Sequence, residues 1–268
     1  MTKMQGTSKA NLPINTKDLS TKTLLYFITF EIVFVLLDLI VNFHHLIDYS
    51  PVRRLFNITR EDGLASWFMS SQTLLVALTL WFIFYLHHKL DIGRNSTKLA
   101  WAILASFFTY MSADDGAAIH ERLGSTFKLM AKSANTETSN AILAYFPSYA
   151  WQIVVLPLFL GMGIFMLLFL WKTFKNDMLM YTVLLGFSML GTAVVLDFFE
   201  GLEPESPLYI YQYIINFTGV ELHTVEHFSK SIEEFLEMVG ITLFLSVFVE
   251  YIGRVSQKDI HITFTAIL

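Results

Sequence analysis

Glu221-Leu222-His223-Thr224-Val225-Glu226-His227, continuing through Glu233-Glu234-Phe235-Leu236-Glu237 into Met238-Val239-Gly240-Ile241-Thr242-Leu243-Phe244-Leu245-Ser246-Val247-Phe248-Val249, decides how the chain is read. Two histidines and five glutamates fall within about five helical turns. The apolar run that follows is unbroken and of membrane grade. Ionisable residues at the mouth of a spanning helix are expensive and call for a reason. The pattern points to a metal- or proton-handling site in a helical membrane protein.

Composition agrees. The 268 residues are 54% hydrophobic and only 15% charged, with 25 Phe. That is the profile of a polytopic membrane protein. A net charge of −5 argues against a nucleic-acid partner. With no cysteine, there is no disulfide, thiolate metal site or cysteine nucleophile. Residues 1–22 are polar and read as a cytoplasmic tail, 23–253 as the bundle, and 254–268 as a second tail. Residues 259–268 alternate polar and apolar like a strand, with no partner visible.

Six stretches have spanning length: 23–47, 64–88, 98–121, 148–172, 178–200 and 222–253. In lipid each must be a helix, because every backbone group must pair within its segment. The fold class is therefore all-α, a transmembrane bundle of about six helices. Pro157 predicts a kink in the fourth span. Trp67, Trp101, Trp151 and Trp171 fall near span ends, as belt residues do. Lysine and arginine are denser in the tails and in the loops after spans two and four. The positive-inside rule then puts both termini in the cytoplasm of a cell-membrane protein.

With that orientation, acidic and imidazole groups gather at one level. Glu31 and Asp38 lie one heptad apart inside the first span, with Asn42 and His45 following Asp38 on the same face. Ser112, Asp114, Asp115, His120 and Glu121 crowd the outer end of the third. Asp197 and Glu200 do so on the fifth, and the opening stretch does so on the sixth. Several of these charges have the alternative reading of marking where a helix leaves the membrane. Glu31 and Asp38 lie too deep for that; they are structural, or part of a proton or ion path.

His223-Thr-Val-Glu226-His227 matches H-x-x-E-H, in which two imidazoles at i, i+4 hold one zinc ion and a glutamate acts as base. Only 41 residues follow His227, so the distant third ligand of the soluble inverted zinc proteases has no place. Glu234, or a residue from Asp114–Glu121, is the candidate instead. A di-iron or di-manganese site is the second option, drawn from Asp115, His120, Glu121, Glu200, His227, Glu234 and Glu237. Its usual E-x-x-H spacing is missing: Asp115 and His120 are i, i+5 and do not share a face on a straight helix. Haem held by His45, His120, His223 or His227 suits the carboxylate-rich surroundings less well.

Three blocks resemble a group of uncharacterised bacterial multi-pass proteins. They are Arg60-Glu61-Asp-Gly-Leu-Ala-Ser-Trp67-Phe-Met-Ser70-Ser71, Ser112-Ala-Asp114-Asp115-Gly-Ala-Ala-Ile-His120-Glu121-Arg122 and Glu233-Glu234-Phe-Leu-Glu237-Met-Val-Gly240. The group's pattern runs roughly W-F-S-S, D-E-x-x-x-I-H-E, E-E-x-x-E-x-x-G; Asp115 stands where it tends to have Glu. The resemblance implies that the blocks form one site and lends no activity. The ligand set is also similar in chemistry to that of the alkaline ceramidase and adiponectin-receptor hydrolases. Ser112 to His120 is eight residues rather than four, however, and the spans number six rather than seven.

The leading expectation is a metal-dependent membrane enzyme, hydrolytic or di-metal oxidative, acting on a lipid-like substrate. Asp115, His120, Glu121, His223, His227 and Glu234 are the candidate ligands for zinc or an iron or manganese pair, with Glu226 or Glu237 as general base. The alternatives are a proton- or cation-coupled transporter using Glu31 and Asp38, or a non-catalytic subunit of a larger membrane complex. Residues 202–220, with Tyr209, Tyr211 and Tyr213, are a candidate lid.

Overall fold

The computed structural model describes residues 8–134, 151–204, 206, 208–256 and 260–266. Its elements in chain order are β1 (Ser8–Ile14), α1 (Thr16–Leu37), a π-helical turn (Asp38–Phe43), α2 (Ser50–Phe56), α3 (Leu64–Lys89), α4 (Asn95–Ala117), α5 (Ile119–Ala134), α6 (Trp151–Val154), α7 (Leu156–Phe174), α8 (Leu179–Glu200), α9 (Ile210–Thr218), α10 (Leu222–Ser256) and β2 (Ile260–Ala266).

Among the described residues five helices are long and apolar enough to cross a membrane: Thr16–Phe43, α3, α7, α8 and α10. The expected third span, α4, has the length at 23 residues, but Ser112, Asp114 and Asp115 make its last turns too polar to count. It nevertheless runs antiparallel to α3 inside the bundle. Ser70 Oγ donates to Ser112 O at 2.9 Å, and Ser112 Oγ returns the bond to Ser70 O at 2.8 Å. The turn between them is closed by Gly93 at φ +78° and by Lys98 on Asp91 at 2.5 Å.

The centre is α10. Its residues Gly240–Phe248 are buried without interruption, against α1, α3 and α8. At 35 residues it is about 52 Å long, well beyond a hydrocarbon core of about 30 Å. Its contact with α8 is close because Gly186 and Gly240 face each other. A Cβ on Gly240 would stand 2.8 Å from Leu190, whereas one on Gly161 would meet nothing within 4 Å. Small residues let helix backbones approach in this way. Gly240→Leu is therefore expected to cost about 1–3 kcal/mol, read as a lower thermal midpoint in detergent, while Gly161→Leu leaves it in place. Equal midpoints would mean that the α8–α10 contact is not tight.

Sequence expectations need correction at four places. The tails are not featureless: α1 starts at Thr16, capped by Asn15, whose Oδ1 accepts from Lys17 N at 3.0 Å. β1 pairs antiparallel with β2, Ser8 opposite Ala266 and Ile14 opposite Ile260. The strand pattern after residue 259 thus has its partner at the other terminus. The reason is that α1 and α10 pack antiparallel, with Ser20 Oγ donating to Ser246 O at 2.8 Å, which brings the two ends together. Pro157 does not kink a helix; it occupies the first turn of α7, where its missing N–H costs nothing. Trp67 and Trp171 are exposed, as a belt requires, but Trp101 and Trp151 are buried. Trp101 sits edge-on to Phe169 and Phe248 and stacks on Tyr251. The start of the fourth expected span, 148–150, lies outside the described residues.

Candidate functional site

Four segments bring their acidic ends to the same end of the bundle. The first is the loop before α3. Asn57 Oδ1 accepts from Thr59 N at 2.9 Å and from Thr59 Oγ1 at 2.8 Å, which folds the loop back. Arg60 Nε and Arg54 Nη2 hold the two oxygens of Asp62 at 2.7 and 2.8 Å and pull its carboxyl down to about 2. Asp62 is thus committed to the surface, and its neighbour Glu61, itself exposed, stands at the rim of the cavity described below.

The second segment is the α4–α5 junction. α4 stops because Ala118 adopts a left-handed conformation at φ +48°, a strained state for a residue with a Cβ. The turn carries His120 back onto Asp114, which is 1% exposed. Asp114 Oδ1 accepts from His120 N at 2.8 Å and Oδ2 meets His120 Nδ1 at 2.7 Å. Burial disfavours the imidazolium, but the Asp114 carboxylate outweighs it and His120 stays above its ordinary value. The break at Ala118 separates Asp115 and His120 onto two helices, so the straight-helix i, i+5 argument does not apply to them. Asp115 accepts from Thr73 Oγ1 at 2.9 Å.

The third and fourth segments are the end of α8 and the early turns of α10. Asp197 accepts from Gln152 Nε2 at 2.8 Å. Glu200 accepts from Lys230 Nζ at 3.3 Å. Glu233 is nine-tenths buried, and no hydrogen bond or ion pair to it occurs among the described residues. Glu234 and Glu237 follow one and four residues later.

These groups line one cavity of about 530 Å³. Eight carboxylates border it: Glu61, Asp114, Asp115, Glu121, Asp197, Glu233, Glu234 and Glu237. Against them stand His120, Arg60 and Lys230. Apart from Thr59 and Ser66 the rest of the lining is apolar, chiefly Phe107, Phe108 and Met111 of α4, Phe159, Leu160 and Met166 of α7, Phe187, Leu190 and Val194 of α8, and Ile241 and Phe244 of α10. Trp151 closes the boundary, its ring edge 4.9 Å from His120 by centroids. The space has an acidic head and an aromatic–aliphatic body.

Burial, and then the Glu121 carboxyl beside it, pushes Glu61 up to about 7. The sign follows: a carboxyl raised on folding supports the fold below its ordinary value of 4.5, and that support is lost as pH rises through about 7. Between pH 5 and pH 8 the thermal midpoint should fall, and the fall should be smaller in Glu61→Gln. An identical pH response in the two proteins would show that Glu61 is not buried against Glu121.

Of the expected site residues, Asp115, His120, Glu121, Glu234 and Glu237 meet at the cavity. The H-x-x-E-H residues do not. His223 and His227 are stacked, 6.3 Å between centroids, but His227 Nε2 is bound to Asp38 Oδ2 at 2.9 Å and His223 is exposed. Glu226 accepts from Tyr209 Oη at 3.0 Å, so it is not placed as the cavity's base. Glu234 shares a face with His227, yet seven residues along a helix is about 10 Å, too far for one ion. Among the described residues no three His, Asp or Glu side chains form a group that could hold a metal ion.

Glu31 and Asp38 also part company. Glu31 Oε1 accepts from Gln72 Nε2 at 2.8 Å and from Thr242 Oγ1 at 2.5 Å. Asp38 accepts from Asn42, Ser231 and the Ile58 N–H besides meeting His227. The two networks share no residue, and neither carboxylate lines the cavity. In the candidate lid Tyr211 is buried, its hydroxyl donating to Ser229 Oγ at 2.7 Å, Tyr209 is held on Glu226, and neither tyrosine lines the cavity. Lys230 was not expected in the site. Glu61 and Asp114 are singled out in the sequence only through the resemblance blocks and, for Asp114, as one of the residues offered for a third ligand; Asp197 is marked there only as a charge at the same level, which looks like an ordinary helix end.

The class these features define is a multi-pass helical membrane protein with an acid-headed internal cavity. A family model described as Domain of unknown function (DUF8692) matches residues 25–251. The chain belongs to that family, and the match contains every residue that lines the cavity. No curated protein and no solved structure matches the chain.

Proposed function

We propose that this protein is a membrane enzyme that takes a lipid-like molecule into the cavity, with the polar end of that molecule among the carboxylates. One observation carries the reading: a single cavity joins carboxylates from four segments to an apolar body large enough for a hydrocarbon chain. Ligand sites are commonly apolar spaces with a few convergent polar groups. Eight carboxylates against so few cations cannot all be ionised in a low-dielectric space without a counter-charge. A divalent cation drawn to oxygen-rich sites, manganese, iron or magnesium, suits this donor set better than a zinc site built on the histidine pair. The carboxylates would have to close in by changing rotamer to ligate it, since no ready-made set of three is present.

The chain's own acid–base groups are His120 and Glu237. Asp114 fixes Nδ1 of His120, which leaves Nε2 to exchange a proton with a bound molecule. Glu237 borders the same space as a second proton acceptor. On the positive-inside reading, the acidic end faces away from the cytoplasm. The carrier alternative depends on Glu31 and Asp38, and their separate networks give it no continuous route.

Elemental analysis of protein purified in mild detergent without chelators tests the proposal. We expect near-stoichiometric metal in the wild type and in His223→Ala/His227→Ala, and its loss in Glu234→Gln/Glu237→Gln. Metal lost with the histidines and kept without the glutamates would reverse the assignment. A wild type that takes up no metal from resupplied ions would end the metalloenzyme reading.

A further inference from the structure

Among the described residues the lining of the cavity is exposed at two places of different character. Glu61 marks one at the acidic end. The other lies on the flank, between α7 and α8. Leu160 and Val194 both line the cavity and are 59% and 36% exposed, and Gly191 between them in space is exposed too. α7 and α8 are joined at the end away from the acids and touch only sparsely along their length. Gly163 and Gly191 face the cavity, and a Cβ on either would meet nothing within 4 Å. In a bilayer this flank faces acyl chains rather than water.

We infer that the seam between α7 and α8, floored by Gly163 and Gly191, is a lateral portal that admits one unbranched hydrocarbon chain of a membrane lipid, held with its polar end toward Glu234 and Glu237. The inference rests on the lipid-like substrate proposed above and adds how it gets in and what limits its length. A volume of about 530 Å³ lies within the roughly 300–1,000 Å³ of sites that hold one small ligand, room for a single chain. The glycines keep the channel open where a larger side chain would fill it. Phe187, Phe244 and Met166 close its far end, so chain length is read against them.

Titration with 9,10-dibromostearyl alcohol, whose uncharged head is not repelled by the carboxylates, in a non-brominated detergent tests the portal, because bromine quenches tryptophan on contact and Trp151 stands at the head–body boundary. The wild type should show saturable quenching, and Trp151→Phe should lose the saturable part. Gly163→Leu and Gly191→Leu should raise the half-saturation concentration by about tenfold or more, with thermal midpoints and metal content unchanged, since the space they fill is empty and lies away from the acids. Quenching that rises in proportion to probe in the micelle, or that is the same in the glycine variants, would overturn the portal. Metal content separates the two claims: a metal-free protein with saturable quenching keeps the portal and loses the metal, and a metal-loaded protein without it does the reverse.

Discussion

Asp114→Ala is expected to lower the thermal midpoint more than removal of any other polar side chain bordering the cavity. Asp114 is buried and accepts from both the backbone N–H and Nδ1 of His120. These bonds hold the turn at Ala118, whose left-handed backbone has nothing intrinsic to favour it. Truncation leaves a half-buried imidazole and an N–H without their acceptor, a loss of about 3 kcal/mol. For a chain of this size that is a midpoint lower by about 6–12 °C. Asp114→Asn separates geometry from charge. An amide oxygen can still accept from the His120 N–H, but the negative charge is gone. Burial then governs the imidazole, and its pKa should drop below that of the wild type when the His120 ring proton is followed by NMR. An unchanged titration in Asp114→Asn would show that the carboxylate does not set the protonation of His120.

The second large effect is at Asp38, which packs against His227 and Ser231 near the start of α10. Its carboxylate gathers Asn42, the Ile58 N–H, Ser231 and His227. It is 3% exposed and lies in the π-helical turn, where the chain leaves regular helix to make these bonds. Asp38→Ala should cost about 3–5 kcal/mol, the usual loss when one partner of a buried charged network is removed. Metal content and dibromostearyl alcohol binding per folded molecule should stay at wild-type levels, because the network does not reach the cavity. If Asp38→Ala folds normally but loses metal, the Asp38–His227 pair belongs to the functional site and the H-x-x-E-H reading returns.

The helices were legible in the sequence because apolar runs of spanning length leave no other choice in lipid. The level of the site was legible too: Asp115, His120, Glu121, Glu234 and Glu237 all border one cavity. What the sequence did not carry was rotation and distance. Spacing by four or seven says which residues share a helix face. It does not say that His227 leans toward α1 while Glu234, about 10 Å further along the axis, borders the cavity. The same limit applies to Glu31 and Asp38, one heptad apart and engaged with different partners. The break at Ala118 left no mark in the sequence, since alanine is a strong helix former; only the awkward spacing of Asp115 and His120 hinted at it. Asp197 and Lys230 resembled interfacial charges because nothing local distinguishes a helix end that meets a cavity from one that meets water. The strand pair was half visible, as an alternating terminus whose partner lay some 250 positions away.

We propose that a cation is held at the acidic end of the cavity and not by the histidine pair. Anomalous diffraction from crystals grown with Mn²⁺ distinguishes the two sites. A peak is expected inside the cavity, among Glu61, Asp115, Glu121, Glu234 and Glu237. A peak between His223 and His227, or no ordered peak anywhere in the bundle, would contradict it.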